Sequence, residues 1–257
     1  MTKESSAHPP KFVIVTLPRS GSYNLVSLLN SAPDIVCHGE IFKRDVVELR
    51  PLHLEKMGMV HEDVVKRDAK PGAFLQRLRG LNARKIFGFK MFPEHATRVA
   101  HLGGHVLRNP GWRKVFLQRN PIESYASLLR AKQTNVWTVR TAAKAPPSRE
   151  TLHERVTFSP QTFDEHLQLT DWFDSVRAGI EAVPDNPVLT VDYERISDRS
   201  ALPELLRFLG SAGDAESLIS DFDRQFTAAL HEGFTNWDDL VRHAHERGHA
   251  SMLAERA

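Results

Sequence analysis

A single cysteine, Cys37, stands in 257 residues, so no disulfide can form within the chain and a reducing compartment is the expected setting. Neither sign of charge is in excess: 34 Lys and Arg face 32 Asp and Glu, for a net charge of +2. That balance excludes the extended basic footprint of a nucleic-acid binder, while leaving room for local clusters that hold small anions. The opening "MTKESSAHPPK" has none of the apolar core a signal peptide carries, and no apolar run approaches the length of a membrane span. The expectation is a cytoplasmic protein with no membrane insertion and no nucleic-acid partner. Neither an internal repeat nor a clear linker is found, so 1–257 reads as one domain, with 1–10 as a flexible tail.

What is present is a chain that is 41% hydrophobic, enough to bury a full core at this length. Strand-like and helix-like patterns alternate along it. "KFVIVT" (Lys11–Thr16) is a continuous apolar run, as expected of a strand buried on both faces. Leu25, Leu28 and Leu29 then mark one face of a helix. "DIVCHG", "ARKIFGFKMF" (Ala83–Phe92), "RKVFLQR" (Arg113–Arg119) and "NPVLTVDYE" (Asn186–Glu194) read as further strands. "NPIESYASLLRAK" places Pro121 just inside a helix start, and Gln161–Val183 carries Phe163, Leu167, Trp172, Phe173, Val176 and Ile180 at helical spacing. Such alternation predicts an α/β fold with a mostly parallel central sheet flanked by helices, where ligands bind at the carboxyl ends of strands. The polar stretch 134–161 reads as a loop excursion on the acceptor side, and it and the helix after it as walls of a site.

At the joint of the first strand and helix stands "LPRSGS". A tight, hydroxyl-rich turn ahead of a helix gathers free backbone N–H groups where the helix dipole is positive, which suits an anion. Gly21 permits close approach of backbone to a phosphate, Ser20 and Ser22 add hydroxyl donors, and Arg19 adds a permanent charge in a planar fork. The GxxxxGK[ST] pattern of nucleotide P-loops is not met, for want of its first glycine and its lysine. A second strand end, Arg119, is followed eight residues later by Ser127 within a helix, a charge and a hydroxyl that can meet one anion.

Taken together, "LPRSGS", "RNPIESYAS" and "VLTVDYERISD" resemble the three landmarks of the sulfotransferases that use 3′-phosphoadenosine 5′-phosphosulfate (PAPS). The resemblance spans roughly Phe12 to Asp198, and "NSAPDIVCHGEIF" looks most like the bacterial and carbohydrate-directed branch. It implies a P-loop-like three-layer fold, with Arg19, Ser20, Gly21, Ser22 and Tyr23 as the loop around the donor's 5′-phosphosulfate. It makes Arg119 and Ser127 the 3′-phosphate clamp and puts Tyr193 near the adenine. PAPS is then the donor and PAP, adenosine 3′,5′-bisphosphate, the product. The acceptor is a hydroxyl or amine of a carbohydrate or small metabolite, and no metal is required.

Departures from the family pattern decide the expected mechanism. The cytosolic branch has lysine where this chain has Arg19, and an adenine-stacking tryptophan where it has Asn24. The basic, glycine-containing C-terminal phosphate motif is missing: "LHEGFTNWDDL" offers Gly233 and Trp237 with acids in place of lysines. "GFKMF" keeps Lys90, yet Phe92 fills the position of the usual histidine base. The resemblance then points to Glu40, in "CHGEIF", as general base, with Lys90 on the sulfonate oxygens and Arg19 on the leaving phosphate. His38 and His95 read as polar or acceptor-contacting residues, and Tyr193 serves equally well as a core tyrosine. Competing readings are an ATP-dependent P-loop kinase, an inert nucleotide-binding module, and a zinc metalloprotease through "HERGH", with His245, Glu246 and His249 in the H-E-x-x-H pattern.

Overall fold

A computed structural model describes residues 9–143 and 145–253. Of the expected tail 1–10, only Pro9 and Pro10 fall within them. Strands β1 (Lys11–Thr16), β2 (Ile35–His38), β3 (Ile86–Met91), β4 (Arg113–Gln118) and β5 (Val188–Asp192) form one sheet. Its order is β2-β3-β1-β4-β5, and every pairing is parallel. The expected "mostly parallel" sheet is thus parallel throughout.

Period-two alternation in β1 sorts side chains to two faces. Phe12 and Ile14 pack with Leu25, Leu28 and Leu29 of the first helix (Ser22–Ser31) and with Leu205 and Leu206 of helix Leu202–Leu209. Val13 and Val15 join Phe87, Phe89, Phe116 and, from helix Pro160–Glu181, Phe173 and Ile180. Helices therefore cover both faces, and the strands are apolar on both, as parallel sheets require. Gly88 in β3 is needed for this packing, because a Cβ there would stand 2.1 Å from the Phe12 ring. Cys37 is buried and free on β2. A third apolar cluster joins helix Pro121–Thr134, through Ile122 and Tyr125, to Phe163, Phe234 and Leu240.

Several strands are shorter than the expected bounds, and at two carboxyl ends an aromatic residue marks the change. β3 stops at Met91 because Phe92 caps a helix with Pro93 at its first position, and proline has no N–H for a ladder. β5 stops at Asp192, and Tyr193 opens a short helix to Ser197. The excursion 134–161 contains a helix at Arg149–Leu152 and isolated bridges from Arg140 to Phe222 and from Val156 to Phe234. No described helix is long and apolar enough to cross a membrane.

Chain order reverses at β1: the path leads from β1 out to β2 and β3, then back past β1 to β4 and β5. A crevice at such a switch point, beyond the carboxyl ends of the strands, is where this architecture binds ligands.

Three buried histidines set an acid limit on this fold. Burial lowers the pKa of His38 to about 3, and those of His95 and His166 to about 4. Each is neutral when folded, whereas the unfolded chain protonates near 6.5. Their contribution is fully present above that value and is lost as pH falls through it toward the folded values. Between pH 7.5 and 6.0 each histidine should withdraw about 0.8 kcal/mol, or about 2 kcal/mol in all. Urea denaturation at the two pH values measures this; equal midpoints would contradict it.

Candidate active site

All five strand ends deliver side chains to one place. After β1 the chain turns through Arg19 (φ 67°) and Gly21 (φ 73°), both left-handed, before the first helix. Gly21 is the N-cap and supplies no side-chain hydrogen bond to the helix amides. Left-handed backbone and a crowded neighbour together demand glycine there: a Cβ would lie 2.0 Å from Cε2 of Tyr193. Ser20 and Ser22 are buried beside the turn. The result is a concave run of backbone at a positive helix end, a geometry suited to an anion.

Tyr193, the first residue after β5, serves as the floor of this turn. Its ring lies against Gly21 on one side, and the Arg119 guanidinium sits 4.4 Å from its centroid. Arg119 follows β4. It donates through Nη1 to Arg19 O at 3.2 Å and through Nε and Nη2 to Glu123 Oε2 at 3.1 and 2.9 Å.

Arg19 and Ser127, assigned by the sequence to opposite ends of the donor, are bonded to each other. Arg19 Nε donates to Ser127 Oγ at 3.1 Å, Nη2 to Gln225 Oε1 at 2.6 Å, and Nη1 to Trp137 O. Its side chain therefore reaches across the crevice toward helix Pro121–Thr134. Burial, then the charges of Arg119 and Arg130, lower its pKa to about 10, which leaves it cationic at neutral pH.

Glu40 and Lys90 meet on the other side. Lys90, the penultimate residue of β3, is buried and holds Glu40 Oε1 at 2.8 Å. Its ammonium stands 3.7 Å from the Tyr23 ring centroid, a favourable cation–π position. Burial lowers the Lys90 pKa, and Glu40 partly restores it. Tyr23 donates its hydroxyl to Glu48 Oε1 at 3.1 Å, and burial followed by the Glu48 and Glu40 charges raises its pKa. The loop carrying Glu40 is fixed from below by fully buried Arg67, which donates to Ile41 O and Val46 O at 3.0 Å each.

A cavity of ≈ 610 Å³ joins the two groups, and Arg19, Gly21, Ser22, Tyr23, Glu40, Arg119, Ser127 and Tyr193 all line it. Ser20 and Lys90 are covered behind that surface. His38 and His95 are not in its wall; His95 Nδ1 instead accepts from Phe92 N–H at 3.2 Å. Trp137, Thr138 and Val139 bring the excursion to the cavity. Helix Pro160–Glu181, expected as a wall, does not reach it and packs into the core instead.

Sequence reasoning missed Arg130 and the strap Phe222–Leu230, which closes the cavity. Arg130 was findable, three residues after Ser127 on the same helix face. The strap carries no motif or periodicity, and tertiary bonds hold it, such as Asp223 N–H to Val139 O at 3.1 Å.

The zinc alternative through His245, Glu246 and His249 fails on geometry. Helix Trp237–Glu246 ends before His249, with Gly248 left-handed at φ 74°. The two histidines therefore do not share a helix face. Among the described residues no group of three or more His, Cys, Asp and Glu could hold a metal ion.

Comparison with known proteins agrees with this geometry. The sequence profile described as "Sulfotransferase domain" matches residues 9–229. Nodulation protein H of Rhizobium tropici is 24% identical, over 91% of this chain and 89% of that protein. Nodulation protein H of Rhizobium meliloti (strain 1021) is 25% identical, over 93% of each chain. The crystal structure of a sulfotransferase from Alicyclobacillus acidocaldarius superposes with a TM-score of 0.50 at 13% identity, covering 95% of this chain and 94% of that one. With its profile match covering residues 9–229, from the first strand into the strap that closes the cavity, the chain belongs to the sulfotransferase domain family.

Proposed function

We propose that this enzyme moves a sulfonate from PAPS to a hydroxyl, or an amine, of a carbohydrate or small-metabolite acceptor, with Glu40 as general base. The observation that carries the reading is the division of one cavity. An arginine and hydroxyl group (Arg19, Arg119, Ser127) stands at one side and the Glu40 carboxylate, backed by the buried Lys90 ammonium, at the other. A nucleotide with phosphates at both ends of its ribose suits the first side. A hydroxyl that must lose a proton beside a sulfonate suits the second.

In this mechanism Glu40 accepts the proton of the acceptor O–H as that oxygen forms a bond to sulfur. The bond from sulfur to the 5′-phosphate oxygen breaks, and PAP departs carrying the negative charge. Lys90, cationic and held by Glu40 and the Tyr23 ring, neutralises the sulfonate oxygens. Arg19 and the amides of the turn neutralise the leaving phosphate. Arg19 stays protonated throughout, so it contributes charge and no proton. As in phosphoryl transfer, positioning and electrostatics supply most of the rate. Tyr23, Phe92 and Phe222 offer ring faces beside Glu40 and Lys43 in the same cavity, a mixed apolar and polar surface that supports a carbohydrate or small-metabolite acceptor.

The test combines binding and turnover. PAP should raise the melting temperature by mass action, more than AMP or ATP does. Transfer from radiolabelled PAPS to a panel of oligosaccharides and small alcohols should persist in excess EDTA, since Arg19 and Lys90 carry the charge a kinase assigns to magnesium. A shift with ATP alone would favour the kinase reading. Activity lost to chelator and restored by a metal would overturn the mechanism.

A further inference from the structure

We propose that Arg130 is the second guanidinium of the 3′-phosphate clamp, and that Arg130 and Gly233 together stand in for the C-terminal phosphate motif the sequence does not contain. The inference rests on the PAPS reading above and adds to it the residues that distinguish a 3′-phosphorylated nucleotide from an ordinary one.

Arg130 follows Ser127 by three positions on helix Pro121–Thr134, so both project from one face. Its side chain lines the cavity, yet the residue is only 6% exposed. Two contacts fix the guanidinium. Nε donates to Glu154 O at 2.8 Å, and the group lies 4.1 Å from the centroid of the Phe226 ring. Nη2 is left buried with no hydrogen-bond partner among the described residues. A buried, charged donor without an acceptor is costly, and native structures complete most of them with protein, water or a bound group; this one differs from the unpartnered Arg67 Nη2 in belonging to a residue that lines the cavity.

Gly233 leaves room beside that nitrogen. A Cβ at this position would stand 3.0 Å from Arg130 Nη2. The glycine's φ is not in the left-handed region, so room, and not backbone conformation, is what this position gains from glycine.

The surrounding charge asks for an anion. Burial, then the Arg119 charge, lower the Arg130 pKa to about 10, with the Glu154 charge opposing them, and Arg19 is lowered by the charges of both neighbouring arginines. Glu123, the acid lining this cavity beside them, is taken by Arg119 at 2.9 Å and faces Arg224 at 3.9 Å. A phosphate monoester dianion, with several acceptor oxygens, satisfies Nη2 and offsets the repulsion among the three arginines.

A purely structural Arg130 would act through Nε, which ties Glu154 to the helix; a phosphate-binding one acts through Nη2. Titration calorimetry of PAP and AMP, which differ only in the 3′-phosphate, separates the two. Arg130→Gln should weaken PAP about 10- to 100-fold and leave AMP within about threefold. Arg130→Lys, which keeps charge and loses the fork, should fall between Gln and the native residue. Gly233→Ala keeps Arg130 and its Glu154 bond, and should still lower the PAP-to-AMP preference. That variant decides the matter if Arg130→Gln does not fold. Equal losses for PAP and AMP, or an unchanged preference in Gly233→Ala and Arg130→Lys, would overturn the assignment. A native protein that binds PAP no better than AMP would instead bring down the donor reading itself.

Discussion

Glu40→Gln should lower sulfonate transfer by about two to four decades while PAP affinity stays nearly unchanged. Glutamine keeps the size of the side chain and can still accept a hydrogen bond from Lys90, but it has no carboxylate to take the acceptor's proton. The substitution also removes the anionic partner of a buried ammonium, whose side chain is 1% exposed. Breaking such a pair costs about 3–5 kcal/mol at worst, so stability must be followed alongside rate. Glu40→Gln with Lys90→Met removes both charges and should recover part of the lost stability while recovering no turnover. Single-turnover rates and PAP titration on one preparation distinguish chemistry from donor binding. Near-normal turnover would remove Glu40 as base. No buried histidine is then an easy successor, since His38 and His95 stand outside the cavity wall and are neutral and desolvated.

Gly21→Ala should damage the donor side as severely. The new methyl would lie 2.0 Å from a Tyr193 ring carbon, in a backbone held at φ 73°. Left-handed backbone costs an L-residue roughly 1–2 kcal/mol, and overpacking adds about 1–3 kcal/mol. If Tyr193 yields, it takes with it the surface on which Arg119 rests. PAP affinity should therefore fall by about two decades or more, with a lower unfolding midpoint. The companion variant Gly21→Ala with Tyr193→Ala removes the collision and keeps the backbone strain. It should regain part of the stability. A Gly21→Ala protein that binds PAP normally would show that the turn tolerates a side chain and that Tyr193 is not its floor.

How far the sequence disclosed this site depends on the distance over which each contact acts. Residues that follow strands were legible, because an apolar run ending in Pro18–Gly21 or in Arg119–Pro121 marks a strand end by local chemistry alone. Parallel-sheet topology then brings those ends together, so Arg19, Glu40, Lys90, Arg119 and Tyr193 converge without any pairwise signal. The bond from Arg19 to Ser127 spans 108 positions, and nothing in either motif announces that the two would share a hydrogen. The strap Phe222–Leu230 was invisible for a related reason: its place is set by hydrogen bonds to the excursion, not by its own pattern. Strand limits were misjudged by a residue or two where an aromatic, Phe92 or Tyr193, extended an apolar run into a helix cap. "HERGH" misled in the opposite direction, since its spacing presumes a helix that Gly248 ends.

The lone thiol of Cys37 gives this protein a built-in clock. It is shut inside β2, an edge strand, next to His38 and three residues before Glu40, and burial raises its pKa. A thiol reagent can reach it only when that edge opens, so the labelling rate reads the opening equilibrium of the sheet margin that leads to Glu40. With no second sulfhydryl to confuse the signal, one mass increment times the event. Ligands that close the crevice should slow that clock, and those that merely touch the outer surface should leave it running at the same pace.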